Sequence, residues 1–576
     1  MTQPSDEQLQ IINAPLSPIS VIACAGSGKT FTAVRRLAQM RRQLGEHRGR
    51  IALLSFSNVA VDTFRQEYKK LVQNVPSNTT YHRVEIDTLD SFITANVLRP
   101  HAYRTMEARQ TAFLVTGGEA FLSGFKFQTN TYPREITQMQ VGMDRSGIYF
   151  FYSEHDGTYK LDTAQSTRLV NRLGQIGAYT HNLGRYWCYR TLVEQPSILS
   201  ALVRRYPHIL IDEAQDIGTV HQAIIELLIG AGCQISLIGD PNQGIYEFAG
   251  ANGVFLARYG QRKGVNSLQL TKNFRSVPPI LDLANSLSNR GDTADRGVPD
   301  TIHGAFFIPY RNAERENLIA AFQTAVLAAN LKPKCSAVLC RARSLADTLA
   351  GNEGAPGQGT VKNLAQAAIL RDQNQDYLTA FKLVANAIVC LLANPPQGLV
   401  ARITQPARYP DDRALRRLIW AFTRDPASGL PAATLTGDTQ WHPLLLARIK
   451  VLLARIAQDH GLVGADNLGN KLAKRGLSNT PLIATAELVM KDDASRIRID
   501  TVHQAKGESL DAVLYLTNKE HVSALLAGVD SEVGRIGYVA VTRARNLLWL
   551  GVPANALKEL RPSLLARGFQ EIDGNM

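Results

Sequence analysis

The chain has 576 residues, enough at roughly 150 residues per domain for about four domains or subdomains. Apolar residues make up 45% and charged residues 20% with no extended low-complexity run, which excludes a mostly disordered protein. An excess of 63 Lys+Arg over 50 Asp+Glu makes a polyanionic partner a candidate, although solvated surface charge explains the same +13 equally well.

The first residues, Met1-Thr-Gln-Pro-Ser-Asp-Glu-Gln8, have neither the basic start nor the apolar stretch of a signal peptide. No segment approaches the ~18 consecutive apolar residues of a membrane span. The six cysteines are scattered without a Cys-x-x-Cys pair, and the histidines include no close pair, so a zinc site or cysteine-ligated cluster is not expected. A soluble, cytoplasmic protein with reduced thiols is the expectation.

Short apolar runs at Ile19 to Ile22, Ile51 to Leu54, Val84 to Ile86, His208 to Ile211 and Ile235 to Ile238 alternate with helical patterns. This is the signature of a parallel sheet buried on both faces. A second series follows at Leu268 to Leu270, Ala337 to Leu339, Ile497 to Ile499, Val513 to Leu516 and Leu547 to Leu550. The fold class predicted is therefore α/β with two parallel-sheet cores.

Each core is interrupted. Between Phe92 and about Tyr206 the strand rhythm gives way to helical segments and one hairpin, Gly147 to Asp162, with Asp156-Gly157 as its turn. From the glycine-rich stretch Gly351 to Gly359 as far as about Ser495 runs a second, mainly helical insertion with breaks at Asn394-Pro-Pro and Asp425-Pro-Ala-Ser-Gly. The expected division is a first core in 1–93 and 201–266 with the insertion 94–200, and a second core in 267–346 and 496–576 with the insertion 347–495.

After the first strand comes Ala23-Cys-Ala-Gly-Ser-Gly-Lys-Thr30 and then a helical pattern. Glycines at 26 and 28 let backbone N–H groups from Ala25 through Ser27 close around phosphate oxygens at a helix N-terminus. Lys29 then reaches the β/γ-phosphates and Thr30 holds Mg²⁺. The strand ending Ile211-Asp-Glu-Ala-Gln-Asp216 delivers two adjacent carboxylates, Asp212 for the metal and Glu213 for the attacking water, a pairing suited to nucleotide hydrolysis. Three more polar clusters end predicted strands: Gly239-Asp-Pro-Asn-Gln243, Asn273-Phe-Arg275 and Tyr538 to Arg545. Their arginines are of the kind that completes a phosphate site on closure, although any one of them alone reads more readily as a surface ion-pair partner.

In their combined order these segments resemble the UvrD/Rep-like branch of superfamily 1 DNA helicases. Asp6-Glu-Gln8 is similar to the adenine-reading motif, Ser55-Phe-Ser-Asn58 to motif Ia and Asp212 to Asp216 to motif II. Gly239 to Gly250 resembles motif III, Leu270 to Ser276 motif IV, Asp500 to Gly507 motif V and Tyr538 to Ala544 motif VI. The resemblance implies two RecA-like domains, 1A and 2A, carrying insertions 1B and 2B, with ATP and Mg²⁺ between the cores. It implies that Gln8 bonds adenine, Phe274 stacks on it, Gln243 senses the γ-phosphate, Arg275 and Arg543 contact it, and Glu508 reaches the ribose. For DNA it implies base stacking by Phe56, Tyr246 and Phe248 and strand contacts by Asn58, Thr88, Thr501 and His503.

Some positions depart from the family pattern. Phe31 stands where Arg is common, so adenine is expected between two aromatic rings; Ala249 and Asp90 replace a common Arg and His; and Lys506-Gly-Glu-Ser-Leu-Asp511 departs from the usual motif V. The activity implied is 3′-to-5′ movement on single-stranded DNA and at junctions with duplex. A regulatory DNA-stimulated ATPase subunit that unwinds poorly alone is the alternative.

The basic residues Arg448, Lys450, Arg455, Lys471, Lys474 and Arg475 of the second insertion read either as duplex contacts or as a solvated face. The stretch after Arg543 is too short for the nuclease domain of some larger relatives. Compact size and the motif V variant resemble the small helicases encoded beside OLD-family nucleases, as in Gabija antiphage defence. A separately encoded nuclease partner is thus one expectation and a free-standing repair helicase the other.

Overall fold

A computed structural model describes residues 3–73, 80–115, 117, 119–154, 157–247, 250–251, 253–350, 355–406, 409–483 and 497–572. The strands Ile19–Ala23, Ile51–Ser55, Val84–Thr88, His208–Ile211, Gln234–Gly239 and Asn266–Leu270 form one six-stranded sheet in which every pairing is parallel. Its spatial order is Asn266–Leu270, Ile19–Ala23, Gln234–Gly239, His208–Ile211, Ile51–Ser55, Val84–Thr88. Strand alternation splits the core: Ile51 and Leu53 join one apolar cluster, Ala52 and Leu54 the other.

The second sheet is also six-stranded and parallel, in the order Arg498–Thr501, Ala337–Cys340, Leu510–Leu516, Ala544–Pro553, Gly304–Tyr310, Gln570–Glu571. Here Ala337 and Leu339 pack on one face, Val338 and Cys340 on the other. The α/β reading with two RecA-like sheets therefore holds.

Two strand expectations change. Asn266–Leu270 hydrogen-bonds to Ile19–Ala23 along its length, so this segment belongs to the first sheet and not to the second. Its sequence, Asn-Ser-Leu-Gln-Leu, alternates because it is an edge with one face half exposed, and nothing local states which sheet it joins. The strand Gly304–Tyr310 was not expected; it pairs with Ala544–Pro553 and with Gln570–Glu571.

The insertions differ in how they attach. In the first, the strands Gln140–Asp144, Gly147–Glu154 and Gly157–Lys160 form an antiparallel sheet, one strand more than the hairpin expected, and Asp156 of the expected turn lies outside the described residues. Its Phe113, Met139, Tyr152 and Trp187 share an apolar cluster with Ala52 and Ile209 of the first sheet. The second insertion has a helical core of its own around Phe381, Ile419, Trp441 and Ile449.

Within the second insertion, Arg448 donates to the carbonyls of Pro426 at 2.9 Å and Gly429 at 3.0 Å, and Lys471 to that of Cys390 at 2.7 Å. Arg455 pairs with Asp459 at 3.4 Å. These three residues thus tie loops and a helix turn together. Among the described residues no helix is long and apolar enough to cross a membrane.

Candidate nucleotide site and nucleic-acid cleft

The loop after the first strand turns through Gly26 (φ 76°) and Gly28 (φ 77°), left-handed conformations that favour glycine, and Gly28 caps the helix Lys29–Leu44. Space makes the same demand: a Cβ on Gly26 would stand 2.5 Å from the Arg275 Cβ, and one on Gly28 would stand 2.8 Å from the Gln8 amide nitrogen. The second core therefore already touches the loop. Asn273 donates to the Ala25 carbonyl at 2.6 Å, and the Phe274 N–H to that of Gly26 at 2.9 Å.

Gln8 is buried, with its amide oxygen accepting from the Ser5 N–H at 3.1 Å and its nitrogen donating to the Ser27 carbonyl at 3.0 Å. In this conformation Gln8 braces the phosphate loop, and reading a base would require exchanging those bonds. Arg35 lies 3.4 Å over the Phe31 ring, covering one face and leaving the other for a planar base.

Glu213 sits in the left-handed region (φ 54°), a conformation that costs a non-glycine residue about 1 kcal/mol or more. Burial raises the Asp212 carboxyl, and the neighbouring Glu213 charge raises it further. Burial also acts upward on Glu213, but the Lys29 and Lys506 charges outweigh it and keep that carboxyl low and ionised. Asp212 Oδ1 is buried without a hydrogen-bond partner among the described residues. An orphaned carboxylate oxygen on Asp212, in a cleft that Thr30 also lines, offers the hard-oxygen chemistry that fits Mg²⁺.

A continuous hydrogen-bonded path leads from Glu213 to the second core. Gln215 donates to the Glu213 carboxylate and accepts from the Asp240 N–H at 3.1 Å. Gln243 donates to Asp240 Oδ2 at 2.9 Å and accepts from Arg543 at 3.1 Å. Arg543 also donates to the carbonyls of Val539 and Glu508, both at 3.2 Å. Arg275 donates to the Thr542 carbonyl at 2.8 Å, and its buried Nε has no partner among the described residues. Burial, with Arg543 close by, pushes the Arg275 guanidinium down to about 9, and burial lowers Arg543 as well. Among the described residues neither guanidinium has a carboxylate within ion-pair distance; with Arg543 buried and Arg275 beside Gly26, the pair suits an anion.

One cleft of about 920 Å³ runs from the Thr30, Asp212 and Glu213 edge of this site to predicted DNA residues, whereas Gln8, Lys29, Gln243, Phe274, Arg275 and Arg543 do not line it. Thr30, Asp212, Glu213 and Glu508 line it, and so do Phe56, Asn58, Thr88, Tyr246 and His503. Phe56 meets His221 edge-on at 5.6 Å, while Tyr246 lies 5.8 Å from His503 and 4.7 Å beneath the Lys506 ammonium. Lys506 pairs with Asp216 at 2.6 Å, so the two cores meet in a buried ion pair between the nucleotide and aromatic ends.

The sequence profile of the UvrD/REP helicase N-terminal domain matches residues 4–147 and 153–262, and that of the UvrD-like helicase C-terminal domain matches 465–554. The chain belongs to the UvrD-like superfamily 1 DNA helicases, which are ATP-dependent. Among its relatives, YjcD of Bacillus subtilis is 23% identical over a 625-residue alignment covering 95% of this chain and 78% of that protein. DNA helicase II of Escherichia coli is 25% identical over 52% of the chain, and ATP-dependent DNA helicase UvrD2 of Mycobacterium tuberculosis 24% identical over 72%. The alignments take in 44% of DNA helicase II and 65% of UvrD2, less than two thirds of either.

Not every residue expected of a UvrD-like helicase reaches the cleft. Thr501 is buried, and its N–H and hydroxyl bond Gln504 Oε1 at 3.0 and 2.8 Å, so it shapes the turn and Gln504 lines the cleft in its place. Glu508 does line the cleft, but its carboxylate is engaged by Arg498, and its carbonyl is what serves Arg543. Phe248 and Ala249 lie outside the described residues. Arg99, Arg185 and His221, absent from the motif reading, also line the cleft.

Proposed function

We propose that this helicase hydrolyses ATP between its two cores to move 3′-to-5′ along single-stranded DNA in the cytoplasm, opening junctions with duplex. One observation carries the reading: a single cleft is lined both by Thr30, which follows the phosphate loop, with the carboxylates Asp212 and Glu213, and by the aromatic and polar residues of the DNA motifs. In the division of labour we propose, Lys29 and the loop N–H groups hold the β- and γ-phosphates, and Glu213, ionised and oriented by Gln215, takes the proton of the attacking water. Arg275 and Arg543 neutralise charge that develops on the transferred phosphoryl group, and Gln243 links Arg543 to Asp240. Mg²⁺, held through Thr30 and Asp212, supplies charge neutralisation across the phosphates when bound. Phe56 and Tyr246 offer stacking platforms that every base can use, which suits movement independent of sequence.

Phe56→Ala is expected to weaken single-stranded DNA binding by roughly 1 to 3 kcal/mol if one base stacks on that ring. Fluorescence anisotropy with a labelled oligonucleotide reads this, and unchanged affinity with a lowered melting temperature would mark Phe56 as packing only. On a tailed duplex, strand separation should need ATP, Mg²⁺ and a 3′ tail. Efficient unwinding from a 5′ tail alone contradicts the polarity.

A second reading, a motor restrained until a partner such as a separately encoded nuclease engages it, draws on contacts between the insertions. Asn386 donates to the Gly117 carbonyl at 3.3 Å, Gln110 to Gln397 Oε1 at 3.1 Å, and Ala401 joins the first insertion's cluster. Affinity purification from the native host, followed by mass spectrometry, separates the readings: co-purifying nuclease supports the second, and a lone monomer that unwinds DNA supports the first.

A further inference from the structure

The cleft wall built by the first insertion is unused by the motifs. The helix His181–Glu194, capped by Thr180, which accepts from the Leu183 N–H at 3.2 Å, brings His181, Asn182 and Arg185 to this wall. Arg185 grips Asp90 with both edges of its fork, Nε to Oδ1 at 2.8 Å and Nη2 to Oδ2 at 2.7 Å, and reaches Asn182 Oδ1 at 3.2 Å. Three of its five N–H groups are thereby used. The side chain is still 24% exposed and lines the cleft.

Asp90 stands in a groove read as a path for a polyanion, where a bare carboxylate would repel each phosphate. Burial alone would raise its carboxyl, but charge interactions from the His221 and Arg185 side outweigh that and hold it well below the usual range. His221 donates from Nε2 at 2.8 Å, and because burial lowers this imidazole, Arg185 carries the neutralising charge. Arg99, on the same wall, donates to the Tyr179 hydroxyl at 3.1 and 3.0 Å and meets no carboxylate within ion-pair distance among the described residues. The wall therefore keeps a net positive charge after Asp90 is cancelled.

We infer that Arg185 and Arg99 form a second set of phosphodiester contacts for the bound strand, and that Asp90 is the internal counter-ion that presets Arg185 and not a contact itself. This rests on the proposed passage of DNA through the cleft. A planar guanidinium suits exchange between a carboxylate and a phosphate, both of which accept two parallel N–H bonds. Arg185 reaches Asp90 from 95 residues away in the chain.

The test is anisotropy with labelled oligothymidylate over a series of salt concentrations, with melting temperatures measured in parallel. Arg185→Ala and Arg99→Gln should each weaken binding on the order of 10-fold and flatten the slope of log affinity against log salt by about 0.7. Asp90→Asn, which removes the competing carboxylate and keeps the shape, should tighten binding and preserve the slope. Arg185→Ala with lowered melting temperature but unchanged affinity and slope overturns the inference. So does Asp90→Asn weakening binding as Arg185→Ala does. If Arg185→Ala does not fold, Arg99→Gln and Asp90→Asn still decide. Failure of the underlying reading looks different: the wild-type chain does not bind the oligonucleotide.

Discussion

Lys29→Ala is expected to lower ATP hydrolysis by at least about 100-fold while leaving single-stranded DNA affinity largely intact. The lysine opens the helix after the phosphate loop, and its charge is one of those that keep Glu213 ionised. Removing it deletes a phosphate contact and lets the general base drift toward its protonated form, so binding and chemistry suffer together. The aromatic platforms stand on other elements. Glu213→Gln separates the two effects: it keeps the Gln215 neighbourhood and phosphate grip but has no base, so nucleotide should bind and persist unhydrolysed. Filter binding of labelled ATP beside a phosphate-release assay reads both. Wild-type turnover in either variant contradicts the site.

Arg543→Ala should cut turnover on the order of 10³-fold with a much smaller change in ATP affinity. Arg543 is buried, reaches Gln243 at 3.1 Å, and comes from the second core, so its charge is added to the phosphate loop only when the cores close. Arg275→Ala should behave alike, with an added cost to the packing of the second core because Arg275 also ties to the Thr542 carbonyl at 2.8 Å. Equal losses in affinity and turnover would make both arginines ground-state contacts.

The parts of this molecule that were legible in its sequence are those whose chemistry leaves little choice. Strands buried on both faces must be apolar throughout, so Ile51 to Leu54 and His208 to Ile211 announce themselves. A loop that wraps phosphate needs glycines and a lysine at fixed spacing. Edge strands carry no such demand: Asn266–Leu270 alternates, and its partner Ile19–Ala23 lies far away in the chain. The same distance hid the Asp90, Arg185 and His221 cluster, whose members are 95 and 131 residues from Asp90. For Thr501 a hydroxyl in a motif reads as a ligand contact, and its bond to Gln504 is visible only in the folded turn. Gln8 was seen as a base reader, and its present bonds to Ser5 and Ser27 emerge only once the helix and the loop are side by side.

That ATP turnover at the Lys29 and Glu213 site drives directed movement along DNA held by Phe56, Tyr246 and the Arg185 wall is tested most directly by displacement of streptavidin from biotinylated oligonucleotides. The purified chain should release streptavidin from the 5′ end much faster than from the 3′ end, only with ATP and Mg²⁺, and Glu213→Gln should release neither. Release from the 3′ end alone, or none from either end while DNA-stimulated ATP hydrolysis proceeds, would contradict the account.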